Sequence, residues 1–240
     1  MNGKRNLWWI GAVVLLLAGA GWAQWALRSA REDAAPVLAE GAFAALGALR
    51  SIAAEVIWFR ADRLQDEGRY VELAQLASAL TTMEPHTPEV WSYASWNLAY
   101  NISVMMATSE DRWRWVWAGM RLLRDEGLVY NPGDPDLCRE LAWLFELKLG
   151  ANIDSAAEVY REKWAEIVRD VRTRGAWAEL GMDSAKMRAI EADSKLDDWT
   201  DPCLSAIYWA VEGLPRAKGK DRSMLLEIIR QSAAIYRKRH

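Results

Sequence analysis

The sequence predicts an all-α protein in which a single N-terminal transmembrane helix precedes a solenoid of helical hairpins. Three observations support this prediction. One apolar run near the N-terminus is long enough to cross a bilayer, and the remaining chain repeats apolar residues at helical spacing, without the alternation typical of strands. Proline-bounded helix starts also recur along the chain. The net charge of −3 over 240 residues offers no basic surface of the kind that binds nucleic acid.

Residues Leu7–Leu27 form the apolar run, in which Gln24 is the single strongly polar residue. A helix of this length rises about 30 Å, which matches the thickness of a bilayer core. Tryptophans lie near its two ends, as in the aromatic belt of a transmembrane helix: Trp8, Trp9, Trp22 and Trp25. Because charged residues flank the run and none lies inside it, we interpret it as a membrane span rather than a buried core helix.

The residues around this span predict a retained anchor with the main domain outside the cytoplasm. Ala18–Ala20 has the small-x-small form of a signal cleavage site, but apolar residues continue to Leu27, beyond the length of a cleaved signal. Two basic residues lie on each side, so the positive-inside rule does not decide the orientation. Since the opposite orientation would export a short cationic tail, we predict that residues 1–6 stay in the cytoplasm. In a bacterium, the chain would then be a single-pass inner-membrane protein with a periplasmic C-terminal domain.

Three dipeptides mark helix starts: Thr87-Pro88, Asp134-Pro135 and Asp201-Pro202. In each, the Thr or Asp side chain can accept hydrogen bonds from the free N–H groups of the first turn, and proline has its φ preset for the first helical position. Pro85 and Pro132 end the preceding helices, because proline cannot continue one. The repeated Pro-x-x-Pro phrase is therefore a helix stop, a two-residue turn and a helix start, which predicts stacked helical hairpins.

The window 54–87 contains one complete helical hairpin. Its first helix carries Trp58, Ala61 and Leu64, and Gly68-Arg69-Tyr70 forms the turn between the helices. Its second helix carries Ala74, Ala77 and Leu80, and Pro85 closes the unit. This pattern resembles the tetratricopeptide repeat (TPR), in which small residues let paired helices approach closely. Two more units begin at Pro88 and Pro135 with family spacings, so the resemblance covers 54–170.

Residues outside the repeats complete the predicted organisation. We predict a connecting helix over 28–53, and an irregular segment followed by a C-terminal helical hairpin over 171–240. The segments WNLAYNISV, LLRDEGLVYNP and AIYWAVEGL are in addition similar to a group of membrane-anchored bacterial TPR-like proteins.

The TPR resemblance implies binding rather than catalysis, in a concave groove lined by the first helix of each unit. The groove residues, carried over by position, are these: Trp58, Asp62, Ser92, Trp96, Tyr100, Arg139 and Trp143. Asn97 and Asn101, four residues apart, form an amide pair that we expect to hold the backbone of a bound peptide. Core packing is the competing interpretation for every aromatic residue in this set.

A second surface is predicted from the tryptophan-rich stretch DRWRWVWAG. Trp113 and Trp117 are one helical turn apart and should stack, while Trp115 points to another side. Arg112 and Arg114 flank these residues and could lie over indole faces as cation–π partners. Two interpretations remain open: these side chains dock a partner, or they fill the core under an elongated hairpin.

The sequence carries no recognisable catalytic or metal-binding motif. It has two histidines, His86 and His240, and lacks Cys-x-x-Cys, His-Glu-x-x-His and glycine-rich phosphate-binding patterns. With one internal imidazole, a conventional hydrolase is the class best excluded. We therefore predict no enzyme activity, no metal and no cofactor. Cys138 and Cys203 are either buried thiols or a disulfide formed in an oxidising compartment.

These features together predict a membrane-anchored periplasmic TPR-like scaffold or adaptor that binds a peptide or partner protein in its groove. One alternative is a structural subunit of a membrane protein complex, docked through its tryptophan-rich face. Another is a factor, catalytic or non-catalytic, in the handling of envelope polysaccharide, with tryptophans stacking on sugars. The predicted partners are a protein or peptide and, through residues 7–27, the membrane, but not nucleic acid.

Overall fold

The computed structural model describes residues 55–240, so the predicted tail, membrane span and connecting helix lie outside the described residues. The chain divides into two compact units, Met1–Phe59 and Arg60–His240, and the second contains every described helix from Tyr70 onward. All regular structure within 55–240 is helical, which confirms the all-α prediction. None of the helices in this part of the chain is long and apolar enough to cross a membrane.

The helices follow one another along the chain with short connections. The described part of α1 covers residues 55–66. The later elements are these: α2 (Tyr70–Met83); α3 (Pro88–Trp96, continued by a π-helical turn, Asn97–Ile102, and by Ser103–Met105); α4 (Ser109–Arg121, continued by a π-helical turn, Leu122–Gly127, and by Leu128–Tyr130); α5 (Pro135–Trp143, continued by a π-helical turn, Leu144–Gly150); α6 (Ala157–Arg174); a 3₁₀ turn (Trp177–Leu180); α7 (Ser184–Ser194); α8 (Pro202–Gly213); and α9 (Gly219–Arg239).

All three predicted helix starts are confirmed, but one predicted cap is not. Helices α3, α5 and α8 each begin with the predicted proline. The Asp134 carboxylate accepts hydrogen bonds from two N–H groups of the first turn, at 3.0 and 3.1 Å, and Asp201 accepts one at 2.9 Å. Thr87 makes no such bond, because its hydroxyl donates to the Glu84 carboxylate at 3.0 Å. The prediction of a Thr87 cap is therefore wrong.

Neighbouring helices pack as hairpins in series. Helix α3 packs against α4 and α5 against α6, while α3 also contacts α5 and α4 contacts α6. The close approach of α3 and α4 depends on Gly119, because a Cβ there would lie 2.9 Å from the Ser95 carbonyl oxygen. The Ser95 hydroxyl donates to the Gly119 carbonyl oxygen at 2.9 Å. The first helices of these hairpins thus form one row and the second helices another, an arrangement typical of helical repeats.

Helix α8 is enclosed on all sides. Every residue from Pro202 to Ala210 is buried. The helix packs between α5 and α9, and its remaining side meets α7 and the loop that follows α7. Gly213 permits the contact with α5, because a Cβ there would lie 2.9 Å from Cβ of Cys138. The predicted C-terminal hairpin is present as α8 and α9.

A buried carboxylate joins the ends of three helices. The side chain of Asp201 is 3% exposed, and it binds the guanidinium of Arg239 at the end of α9. The same guanidinium donates to the Gly150 carbonyl oxygen at the end of α5. Because Asp201 also caps α8, one carboxylate fixes the relative positions of α5, α8 and α9.

Substitution of the residues before the three prolines should separate these roles. We expect Asp134→Ala to lower the free energy of unfolding by about 1 kcal/mol, the usual cost of losing an N-cap. Asp201→Ala should cost about 2 to 3 kcal/mol, because it removes a cap and leaves Arg239 without its buried partner. Thr87→Ala, the matched control without a cap, should change the value by about 0.5 kcal/mol or less. Chemical denaturation of the full chain measures the three differences, and equal costs for the two aspartates would contradict the three-helix joint.

Candidate functional site

An exposed row of apolar side chains runs along α3. Trp96, Tyr100 and Val104 follow one another at intervals of four residues, and Trp96 and Val104 are 41% and 51% exposed. Each such interval rotates a side chain by about 40° in an α-helix. The wider π-helical turn Asn97–Ile102 offsets part of this rotation, so the three side chains stay near one line. The rings of Trp96 and Tyr100 stack with their centroids 6.0 Å apart.

Helix α5 supplies a matching aromatic residue and two cations. Trp143 is the last residue before the π-helical turn of α5, as Trp96 is in α3. The Arg139 guanidinium carbon lies 5.2 Å from the Trp143 ring centroid, and Lys148 Nζ lies 4.7 Å from the Tyr100 ring centroid. Lys148 therefore links α3 and α5 at this surface. We define the aromatic row as four residues: Trp96, Tyr100, Val104 and Trp143.

The cation over Tyr100 is held in place by an ion pair. Lys148 is buried, and its Nζ lies 2.7 Å from Asp154 Oδ2. Burial opposes the ionisation of Asp154, but hydrogen bonds from Lys148 and from the Ala156 N–H keep the pKa of this carboxyl below its ordinary value. Burial, reinforced by nearby carboxylates, raises the pKa of Tyr100 above its ordinary value. At neutral pH the Tyr100 ring is therefore uncharged beneath a fixed cation.

The two asparagines predicted to clamp a peptide have different positions. Asn97 is fully buried, and its Nδ2 donates to the Tyr70 carbonyl oxygen at 3.2 Å. Its Oδ1 accepts a hydrogen bond from Asn101 Nδ2 at 3.1 Å, so the two side chains do pair. Asn97 thus connects α3 to the start of α2, and its amide is not available to a ligand. Asn101 is half-buried and remains at the surface.

Of the three other residues of the predicted groove, Asp62 and Ser92 lie in the same unit as the aromatic row but outside it. Trp58 belongs to the unit Met1–Phe59, where it is half-buried. Asp62 is exposed on α1. Ser92 lies one turn before Trp96 in α3, and its hydroxyl is buried without a hydrogen-bond partner among the described residues.

The last helix borders the aromatic row at its α5 end. Arg139 forms ion pairs with Asp136 of α5 and with Asp221 of α9, the second at 3.3 Å. The Arg139 side chain is consequently only 14% exposed, and Trp143 beneath it is half-buried. The equivalent residue of α3, Trp96, is exposed. Helix α9 therefore covers the predicted surface at α5 and leaves it open at α3.

The tryptophan-rich stretch packs mostly into the core. Trp113 and Trp117 stack as predicted, with centroids 5.5 Å apart and planes inclined by 15°. Trp113 is buried in the main hydrophobic cluster, and Trp117 packs against it. The cation over the Trp117 ring is Arg124, at 5.1 Å, so neither Arg112 nor Arg114 takes the predicted position.

The remaining residues of this stretch reach the surface only in part. Arg112 donates to Ser155 Oγ at 3.2 Å and so connects α4 to the start of α6. Arg114 is exposed and pairs with Asp111 at 3.0 Å. Trp115 is half-buried. The second predicted surface is thereby reduced to Arg114 and Trp115.

A buried carboxyl group lies between α5 and α9. Glu146 is 1% exposed, and its Oε1 has no hydrogen-bond partner within the described chain. Burial raises the pKa of Glu146 to about 7, and the negative charge of Glu227 in α9 adds to the effect. This carboxyl group therefore titrates near neutral pH at the contact that holds α9 beside the aromatic row.

The described residues offer binding chemistry at this site. Within residues 55–240, no group of three or more His, Cys, Asp and Glu side chains could hold a metal ion. Cys138 and Cys203 are free and buried, so they are buried thiols and not a disulfide. Burial raises the pKa of both thiols. The aromatic row itself provides ring stacking, apolar contact and cation–π interactions.

Two residues of this surface, Val104 and Lys148, are absent from the groove predicted by the sequence. Val104 could have been found, because it follows Trp96 by eight residues on the same side of a helix. Lys148 carried no such signal, since its place over Tyr100 depends on how α3 and α5 pack.

No protein-family model, no curated protein and no solved structure matches the chain. The aromatic row is therefore interpreted from its own geometry.

The stability of the chain should depend on Glu146 near neutral pH. Between the ordinary pKa of a glutamate, about 4.3, and the raised value of about 7, the folded chain binds more protons than the unfolded chain. The free energy of unfolding should therefore fall as pH rises through this interval and level off above it. Glu146→Gln should flatten the curve, whereas Glu158→Gln, an exposed control in α6, should not. Denaturation over this pH range measures the effect, and an unchanged slope in Glu146→Gln would assign the titration to another group.

Proposed function

We propose that the protein is a membrane-anchored scaffold of TPR-like helical hairpins that binds a partner protein through the aromatic row. The observation that carries this proposal is the exposure of Trp96. Among the described tryptophans, Trp96 alone is exposed, at 41%, whereas the others are buried or half-buried. Surface indole rings are enriched among the residues that dominate binding energies, because they offer a large apolar area with few rotatable bonds.

The side chains around Trp96 favour a protein ligand. Val104 and Met105, which are 51% and 53% exposed, extend the apolar surface to the end of α3. Lys148 lies over Tyr100 and fixes this ring, so the ring loses little freedom when a partner binds. An apolar centre with charged groups at its edge is the usual composition of a protein–protein interface.

The contact between α5 and α9 indicates the form of the partner. Helix α9 buries an apolar face on its neighbours, including Leu225, Ile228 and Tyr236. It packs on α5 and α8 and borders the half-buried Trp143. A helix or extended segment from a partner, laid on α3 over Trp96, would continue the surface that α9 occupies.

The proposed anchor places this interaction at a membrane. The apolar run 7–27 has the length and the terminal tryptophans of a bilayer span. The scaffold would hold its partner near the periplasmic face of a bacterial inner membrane. We propose that it acts by binding alone and not as an enzyme.

The alternative functions have weaker support. A structural subunit docked through the tryptophan-rich stretch would have to use Arg114 and Trp115, since Trp113 and Trp117 pack internally. Handling of envelope polysaccharide would rely on Trp96 and Tyr100 as a stacking platform for sugars. The apolar extension through Val104 and Met105 favours a protein over a sugar, because a sugar presents hydroxyl groups that apolar side chains cannot satisfy.

A photo-crosslinking side chain at position 96 should capture the partner in native membranes, and the same side chain at position 115 is the matched control. Once mass spectrometry has identified the adduct, the affinity of that partner can be measured. Trp96→Ala should weaken binding about 30-fold, as expected for the loss of one aromatic anchor. Trp115→Ala should leave the affinity unchanged.

These variants also distinguish the two surfaces. Trp96 is exposed, so its replacement should leave the thermal melting curve nearly unchanged. Two results together would assign binding to the tryptophan-rich face instead of the aromatic row. These are adducts at position 115 but not at position 96, and loss of binding in a folded Trp115→Ala variant.

Reporter fusions test the proposed topology. Alkaline phosphatase fused after His240 should be active in a bacterial host, because this enzyme folds only after export. A fluorescent protein restricted to the cytoplasm should stay dark at the same position. The reverse pattern would place the C-terminal domain in the cytoplasm and remove the periplasmic part of the proposal.

A further inference from the structure

A cavity of about 350 Å³ lies in the segment between α6 and α8. Its volume falls at the lower end of the range for small-ligand sites. Its walls come from the end of α6, the 3₁₀ turn, α7 and the loop after α7, and include Arg172, Trp177, Met187, Arg188 and Trp199. None of these residues belongs to the aromatic row.

The apolar residues at this cavity are Trp177, Met187 and Trp199, of which Trp177 offers most of the accessible surface because Met187 and Trp199 are buried. The rings of Trp177 and Trp199 meet edge to face, with centroids 6.3 Å apart. Trp199 is held rigidly, because its Nε1 donates to Glu191 Oε1 at 2.5 Å and its ring meets Tyr208 of α8 at 6.4 Å. Trp177 is half-buried and remains accessible. A wall of this kind favours a flat apolar group.

Two guanidinium groups line the same cavity without a hydrogen bond or ion pair to the described residues, although backbone hydrogen bonds and, to a lesser degree, the charge of Arg188 lower the pKa of Asp183. Neither Arg172 nor Arg188 forms a hydrogen bond or ion pair through its side chain with any described residue. Arg174, two residues after Arg172, is by contrast bound by Asp170 and Glu179. An unpaired arginine offers a planar fork that matches a carboxylate with two parallel hydrogen bonds.

Two carboxylates also line the cavity, Glu191 and Asp197. Glu191 is engaged by the indole of Trp199, and Asp197 lies at the lining without an ion pair among the described residues. Two guanidinium groups thus face two carboxylates. The lining is therefore close to neutral, so an anion is held here by the hydrogen-bond geometry of the guanidinium groups rather than by a net positive charge.

We propose that this cavity binds a carboxylate attached to a flat apolar group. The carboxylate lies between Arg172 and Arg188, and the apolar group lies against Trp177 and Met187. Two sources share this chemistry: the C-terminal residue of a polypeptide that ends in an aromatic side chain, and a free aromatic carboxylate. The cavity is a second binding site, independent of the proposed scaffold function.

Fluorine NMR on the full-length chain in detergent tests this proposal with N-acetyl-4-fluorophenylalanine as the probe. We expect saturable binding with a dissociation constant of about 1 mM or below, as its size permits. The uncharged carboxamide of the same probe should bind about tenfold or more weakly, because it cannot use the guanidinium groups. A short peptide ending in the same residue, with a free or an amidated C-terminus, distinguishes the sources. Tighter binding of the free-ended peptide assigns a polypeptide end, and tighter binding of the single residue assigns a small molecule.

Matched variants assign the binding to this cavity. Arg172→Gln and Arg188→Gln, at exposed positions, should each weaken binding about tenfold, whereas Arg169→Gln, an exposed arginine one turn earlier in α6, should not. Trp177→Phe should retain most of the affinity and Trp177→Ala should not. Equal binding of carboxylate and carboxamide, no saturable binding of either, or unchanged affinity in both Arg172→Gln and Arg188→Gln would overturn the proposal.

Discussion

The domain depends on the burial of α8. A helix with every side covered can meet its neighbours closely only where its side chains are small, and Gly213 provides such a place against α5. Its first N–H groups must also find an acceptor, because water cannot reach them. Asp201 supplies this acceptor, and the charge that it brings into the interior is neutralised by Arg239. The same side chains therefore cap α8 and attach α9 to α5.

The position of α9 in turn decides which part of the repeat row remains open. By lying on α5, α9 encloses Arg139 and half-buries Trp143, whereas Trp96 at the equivalent place in α3 stays exposed. Glu146 is buried at the same contact, where burial and the charge of Glu227 raise its pKa. The exposure of the aromatic row consequently depends on where α9 packs, and not only on the helices that carry the row.

Tryptophan serves three purposes in this protein, and its neighbours decide which. Trp113 lies in the core with Trp117 packed against it, and the Arg124 guanidinium lies over the Trp117 ring. Trp96 is exposed at the surface of α3. Trp177 lines a small cavity beside unpaired guanidinium groups, where one apolar group and one charge can be recognised together. Composition alone does not distinguish these environments, because each depends on the helices that meet there.

The sequence by itself determined the all-α class, the starts of α3, α5 and α8, the stacking of Trp113 on Trp117 and the equivalence of Trp96 and Trp143. These features depend on residues within one or two helical turns, so local spacing and capping chemistry are sufficient to predict them. Only the tertiary structure decided that Asn97 is buried, that Lys148 covers Tyr100 and that α9 closes the row at α5. It also decided that Arg172 and Arg188 line one cavity. Each of these outcomes joins residues distant in sequence, and the packing of whole helices brings them together, which no local pattern encodes.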